Sequence, residues 1–329
     1  MATPKDELTK RINESYEVPN NVVKKVPKPL VSVYVATYQH RDYITDCLEG
    51  VLMQKTTFPF ELIIGEDFST DGTRDVVMEY AKKHPELIRV ITADRNVGQK
   101  ANRIRCLMAC RAKYVAICDG DDYWTDPLKL QKQVDFLETN PGYSLCFHAY
   151  QIKKNGVLLK PLYPRRPRDY SADELVADPG TIRVLTKLLK NIFIGKSIDE
   201  LSNYYGDSSM TSVLGTYGKA KYLSDIMPSV YVHHPGGVWT TKTPEAKLFG
   251  SINAKINMYR YYLSIEDTAR ATICLRGLHR VLASNRSKIY PGLSRFRISR
   301  SGMHIVFAGI WFELYYRPFL LSLNKRPRR

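Results

Sequence analysis

Along the first 150 residues, short apolar runs alternate with stretches in which apolar positions recur at helical spacing. Residues 30–36 (LVSVYVA) read as a first strand, set off by Pro27 and Pro29 from the polar residues before it. In 42–54, Ile44, Cys47, Leu48, Val51 and Leu52 fall on one helical face. A second strand is expected over 61–65 and a second helix over 72–83, its start marked by the turn Ser69-Thr70-Asp71-Gly72-Thr73. A strand over 88–92, a helix over 99–111, a strand over 114–118 and a helix over 127–138 complete the series. Strands joined by helices of this length imply right-handed crossovers and an α/β fold, a mostly parallel sheet with helices on both faces. In such a sheet ligands bind beyond the carboxyl ends of the strands.

The polar clusters fall at those ends. Thr37, Tyr38, Gln39, His40 and Arg41 follow the first strand, and Glu66, Asp67, Phe68, Ser69, Thr70 and Asp71 the second. The run from Asp94 through Asn96 to Lys100 follows the third, and Asp119-Gly120-Asp121-Asp122 the fourth. Three carboxylates within four positions repel one another, so a cation is expected among them. Hard oxygen ligands suit Mg²⁺ or Mn²⁺, which commonly hold a diphosphate. The competing reading is a solvated acidic turn capping the helix near Pro127. An acidic residue such as Asp67 can accept the imide N–H of a uracil or thymine ring, and Tyr38 offers a flat face to a base. Lys100 and the helix start beside it suit phosphate. Asp67 as a turn residue and Tyr38 as an ordinary loop aromatic are the structural alternatives.

Composition narrows the classes. A chain of 329 residues, 44% hydrophobic and 25% charged, can bury a full core as one large domain or two smaller ones. Its six cysteines form no CxxC pair and have no histidines at zinc spacing, which predicts buried free thiols in a reducing compartment. Residues 1–28 are polar and mixed in charge, without a signal-peptide pattern, so a cytoplasmic location is expected. A net charge of +16 calls for an anionic partner: nucleic acid, acidic membrane or a phosphorylated substrate.

The strings VSVYVATYQHRDYITDCLEGVLMQ, ELIIGEDFSTDGTRDVV, NVGQKANRIRCLMAC and YVAICDGDDYWTDPLKLQKQVDFLE, in this order over residues 29–150, resemble the nucleotide-sugar half of family 2 glycosyltransferases of GT-A fold. The resemblance implies a Rossmann-like GT-A sheet, a nucleotide-diphosphate sugar donor with UDP as the default, Mn²⁺ or Mg²⁺ held by the Asp-x-Asp element, and inversion at the anomeric carbon. Carried over by position, Thr37, Tyr38, Glu66 and Asp67 cradle the nucleoside, with Asn96 and Lys100 nearby. Asp119 and Asp121 sit by ribose, metal and diphosphate, Asp121 being the more direct ligand, and Gly120 and Asp122 border the sugar. Where members read Asp-Asp-Gly-Ser, this chain reads Glu66-Asp67-Phe68-Ser69, and Phe68 lacks glycine's freedom for positive φ, so a different turn is expected.

The family's general base is an acidic residue tens of positions beyond the Asp-x-Asp. The best match is Asp207, which equally suits helix capping, with Asp199, Glu200 and Asp225 as second choices. In Tyr231-Val232-His233-His234-Pro235-Gly236-Gly237, His234 is the histidine expected to close the metal site, with a loop histidine of no ligand role as the alternative. Trp124 and Trp239 are candidate platforms for sugar rings, with burial in the core as the alternative for each. The basic, proline-containing run 153–168 is expected to form a mobile loop over the site, and 170–200 a helical stretch walling the acceptor pocket.

These readings divide the chain into a leader (1–28), a GT-A domain (29–240, with its nucleotide-sugar half at 29–150 and its acceptor half at 151–240) and a helical C-terminal region (241–329). Within 290–329, HIVFAGIWFELYYRPFLLSL is interrupted by Glu313, Arg317 and Pro318 and flanked by basic residues. That pattern suits an interfacial helix on anionic lipid at the inner face of the cytoplasmic membrane, or a helix docked on the domain. The expected activity is transfer of a sugar to a hydroxyl of a cell-surface glycan, polysaccharide or lipid-linked oligosaccharide. The alternatives are a non-catalytic nucleotide-sugar binder and a nucleic-acid-binding protein. The latter is suggested by charge alone, since no DNA or RNA module is recognisable, and no nucleic-acid partner is expected.

Overall fold

Residues Val31–Thr37 are all buried, as a central strand covered by helices on both faces must be. Around them, a computed structural model describes residues 4–20, 22, 28–177, 182–204 and 206–285 of the chain. The elements run α1 (Pro4–Asn13), β1 (Tyr16–Glu17), β2 (Val31–Thr37), α2 (Ile44–Leu52), β3 (Phe60–Glu66), α3 (Thr73–Lys83), β4 (Ile88–Thr92), α4 (Gln99–Ala109), β5 (Tyr114–Ile117) and α5 (Lys129–Thr139). There follow β6 (Tyr143–Phe147), β7 (Tyr150–Lys154), β8 (Val157–Tyr163), α6 (Ala172–Ala177), a 3-10 turn at Val184–Thr186, β9 (Leu188–Lys190), α7 (Ile198–Tyr204), α8 (Asp207–Leu214), β10 (Lys219–Tyr222), β11 (Ser229–His233), α9 (Pro244–Ser264) and α10 (Thr268–Ser284). Two compact units divide the chain, Met1–Leu275 and Arg276–Arg329. All that follows concerns the first. The aromatic and basic tail at 290–329 lies outside the described residues.

The main sheet has eight strands in the order β1-β4-β3-β2-β5-β9-β6-β10. Its centre, β4, β3, β2 and β5, is parallel, so β2, β3 and β5 deliver their polar ends to one edge. Alternation along β2 splits the core: Val31, Val33 and Val35 pack on one face of the sheet, Tyr34 and Ala36 on the other. A second sheet, β11-β7-β8, carries β11 past the end of β5, where Tyr123 and Val230 exchange backbone hydrogen bonds. All six cysteines are free and buried. Among the described residues, no helix is long and apolar enough to cross a membrane.

Two segments differ from expectation. The run 170–200 is mixed, because Leu188–Lys190 enters the sheet antiparallel between β5 and β6. Three residues flanked by other apolar positions carry too little period to separate strand from helix. The run 153–168 is largely a hairpin, β7 and β8 joined at Asn155-Gly156, both with positive φ.

One buried cation lies away from the site. Lys129 is fully buried at the start of α5, its Nζ donating to Gln133 Oε1 at 2.7 Å and lying 3.9 Å from the Trp124 ring centroid. Burial lowers its pKa to about 7. A lysine lowered in the folded state costs stability fully below that pH and progressively less as pH climbs to the unfolded value near 10.4. Denaturant titrations from pH 7 to 10 should therefore show wild type gaining on Lys129→Met, by at most about 1.4 kcal/mol per pH unit. A pH-independent difference would contradict the burial of the amine.

Candidate functional site

The carboxylates after β5 each meet a different partner. Asp119 Oδ2 accepts from Arg103 Nη2 of α4 at 2.5 Å, while Arg103 Nη1 donates to Asp207 Oδ1 at 2.9 Å. Asp121 Oδ2 lies 3.1 Å from His234 Nε2 and 4.0 Å from His40 Nε2. Asp122 is buried, and its Oδ1 accepts from Val232 N of β11 at 3.0 Å. Their acidities separate accordingly. Burial raises Asp119 to about 7, Arg103 opposing and Asp121 and Asp207 adding to the rise. Burial, reinforced by Asp121, pushes the Asp122 carboxyl well up from its ordinary value. Asp121 is also pushed up by burial, but the hydrogen bond with His234 and the neighbouring imidazole of His40 outweigh that and leave it lowered.

His40, Asp121 and His234 form a metal-competent trio, their ligand atoms all within 4.8 Å of one another. Asp121 and His234 were expected there. His40 was not, although it stands three residues beyond the β2 end in a polar cluster already singled out. Asp119, expected as a second carboxylate on the metal, is engaged by Arg103 instead. Thr37, the last residue of β2, places its hydroxyl 3.3 Å from His40 Nδ1. In the tautomer that donates Nδ1–H to that hydroxyl, Nε2 keeps its lone pair for a metal. The Tyr43 ring, 4.4 Å from that of His234 between centroids, backs the second imidazole. Burial lowers the pKa of His40, which favours the ligating neutral form. Gly120 makes room for this arrangement: a Cβ there would sit 2.6 Å from Thr37 Oγ1 and 2.9 Å from His40 Nδ1.

The ends of β2 and β3 make the second part of the site. Asp67 accepts from Val97 N at 2.8 Å and Gly98 N at 3.0 Å, which ties the loop before α4 to β3. Each Asp67 oxygen retains acceptor capacity beyond these bonds. Glu66 is buried, accepting from Phe68 N at 3.2 Å, Ser69 N at 2.7 Å and Thr92 Oγ1 at 3.2 Å, so its carboxylate holds the turn. That turn corrects an expectation: Phe68 takes the left-handed conformation itself, with φ 61°. The cost is roughly 1–2 kcal/mol. The two hydrogen bonds to Glu66 and the Arg74 guanidinium, 5.5 Å from the Phe68 ring centroid, offset it. Tyr38 is 44% exposed, with its ring available to a ligand. Asn96 is exposed, and Lys100 lies half-buried in the first turn of α4, its pKa lowered by burial.

Asp207 opens α8. Burial alone would raise its pKa, but Arg103, Lys187 and Arg183 outweigh it and hold the carboxylate ionised. Lys187, fully buried, donates to Thr211 Oγ1 at 2.6 Å, and burial lowers its pKa to about 8. The second-choice acids lie elsewhere: Asp199 pairs with Lys5, and Glu200 with Lys196. The tryptophans part company. Trp239 is exposed beneath Lys242, 5.3 Å from its ring centroid. Trp124 is only 2% exposed, with its indole N–H donated to Leu185 O at 2.9 Å, so it is a core residue and no sugar platform. Sequence reading also missed Arg103, whose two carboxylates lie 16 and 104 positions away.

Gly120→Ala should displace the His40 ring from Asp121 while leaving the fold intact. Mn²⁺ affinity, read by paramagnetic resonance titration, is expected to fall at least tenfold, on the order seen when a supporting contact of a metal ligand is lost. Unchanged affinity would remove His40 from the ligand set.

Residues 32–189 match the family model described as glycosyl transferase family 2. An uncharacterized protein of Mycobacterium tuberculosis is 43% identical over 151 residues, 45% of this chain and 43% of that protein. UDP-Glc:alpha-D-GlcNAc-diphosphoundecaprenol beta-1,3-glucosyltransferase WfaP of Escherichia coli is 32% identical over 131 residues, 39% of this chain and 49% of its own. The chain thus spans about half the length of the curated relatives it matches. Among solved structures, residues 1–349 of S. aureus TarS in complex with UDP-GlcNAc superpose with a TM-score of 0.58 at 16% identity, covering 80% of this chain and 76% of that one. The mannosyltransferase PcManGT of Pyrobaculum calidifontis, in complex with GDP-Man and Mn²⁺, gives 0.51 at 17%, covering 96% and 89%. At those identities the likeness establishes the GT-A fold alone. The sheet edge that gathers Asp67, Asp119 and Asp121 lies within residues 32–189, the segment that matches the glycosyl transferase family 2 model, and Asp207 and His234 lie beyond it in the sequence.

Proposed function

We propose that the protein transfers a sugar from a nucleotide-diphosphate sugar, a UDP-sugar in the first instance, to a hydroxyl of a cell-surface glycan, polysaccharide or lipid-linked oligosaccharide, with inversion at the anomeric carbon. The observation that carries this reading is the convergence of the His40–Asp121–His234 trio, Asp67 and Asp207 on one edge of a parallel sheet. The donor set, two imidazole nitrogens and one carboxylate oxygen, fits Mn²⁺ better than Mg²⁺, whose shell is dominated by oxygen. When bound, the ion would neutralise the departing diphosphate.

The chain's own groups supply the rest. Tyr38 presents a ring to the base, and Asp67 accepts its imide N–H. Lys100 and the N-terminus of α4 attract the diphosphate. Asp207 is the base that takes the acceptor hydroxyl's proton as oxygen attacks the anomeric carbon from the face opposite the leaving group. Arg103 acts as a positioning residue, fixing Asp207 against Asp119 and keeping it ionised. The name of the WfaP relative, with its diphosphoundecaprenol-linked acceptor, supports a lipid-linked acceptor.

Calorimetric titration with UDP-, dTDP- and GDP-sugars, with Mn²⁺ and then with chelator, should show metal-dependent binding of one nucleotide class. Asp207→Asn should bind that donor as wild type does yet transfer on the order of 10²–10⁴-fold more slowly. Full transfer activity in that variant would refute the assignment of the base.

A further inference from the structure

Four of the large aliphatic side chains exposed to solvent sit on one strand. In β8, Val157 is 63% exposed, Leu158 46%, Leu159 37% and Leu162 47%. β8 is the outer strand of the β11-β7-β8 sheet and, among the described residues, pairs only with β7. Such an edge, apolar and unpaired on one side, is ordinarily blunted or covered. From Gln151 to Arg168 the chain carries six Lys or Arg residues and no Asp or Glu. Lys154, Lys160, Arg165 and Arg166 are all exposed.

We propose that the β7–β8 hairpin is a docking surface for an anionic lipid membrane. Charge decides the sign of the partner and the aliphatic side chains decide its kind. Single-stranded nucleic acid is gripped by aromatic rings that stack on bases, and leucine and valine cannot stack. A lipid surface uses both features: aliphatic side chains enter the boundary between headgroups and acyl chains, while lysines and arginines meet anionic headgroups. The hairpin's place in the fold gives the contact a consequence. Lys154 at its tip pairs with His233 of β11, and the next residue is His234 of the metal-competent trio. A membrane under β8 would bring lipid headgroups beside the site. The contact itself is independent of the transfer reaction, and only its value for a lipid-linked acceptor rests on the function proposed above.

The test uses the full chain and sedimentation with vesicles of equimolar phosphatidylglycerol and phosphatidylcholine, against phosphatidylcholine alone. Wild type should pellet with the anionic vesicles. Each basic residue near such a surface contributes roughly fivefold, so Lys154→Glu/Lys160→Glu/Arg166→Glu should weaken association on the order of a hundredfold. Leu158→Asn/Leu162→Asn should weaken it at least tenfold, with thermal melts unchanged because both side chains are exposed. Leu158→Trp adds a direct readout, since its emission should shift to the blue on the anionic vesicles. Equal pelleting of both multiple variants and wild type, or an unshifted tryptophan, would overturn the proposal. So would loss of single-stranded RNA binding through the same substitutions without vesicle binding, or a dimer in sedimentation that they abolish, each assigning the hairpin to another partner.

Discussion

Three carboxylates packed into four positions at the end of a buried strand are the constraint around which the site is built. Left alone they would repel one another where water cannot screen them. The fold answers with a different device for each: a guanidinium from α4 for Asp119, two imidazoles from separate loops for Asp121, and a backbone amide of β11 for Asp122. Those devices originate at the β2 end, in α4 and in β11 and the residue after it. Arg103 then extends the network to Asp207, so the groups proposed for donor binding and for proton transfer share one buried cation.

A second set of hydrogen bonds ties the loops of this edge to one another. Glu66 and Gln39 lace the turns after β3 and β2 together: Gln39 Oε1 accepts from Thr70 N and Asp71 N, and Ser69 Oγ accepts from Gln39 N. Both Gln39 and Phe68 take positive φ. Strain at two neighbouring turns persists only where surrounding hydrogen bonds over-determine the backbone. The reward is an exposed Tyr38 and a fixed Asp67 on the same edge as the trio.

Much of this was legible in the sequence because it is local. The strands and helices from 31 through 139 fall within a few residues of their apolar periods, and parallel topology follows from their alternation, whereas α1 and β1 lie in the polar stretch read as a leader. Asp121 and His234 could be named because each sits in a short motif. What escaped is non-local. Arg103 reads as one more polar position on a helix, and only folding shows that both its partners are acids. His40 was in view, but its role depends on Gly120 leaving space and on Thr37 orienting the ring. Trp124 looks the same whether it faces a sugar or the core, and Leu185 O decides it. Phe68 shows that a hydrogen-bonding neighbour can hold a left-handed turn without glycine, and β9 shows that three residues cannot announce a strand.

The central claim is that two imidazoles and one carboxylate hold a divalent ion at this edge. Electron spin-echo measurements on the Mn²⁺-loaded protein test it most directly. The account predicts modulation from two directly coordinated ¹⁴N nuclei, falling to one in His40→Ala. A spectrum with oxygen ligands alone, unchanged by that substitution, would contradict it.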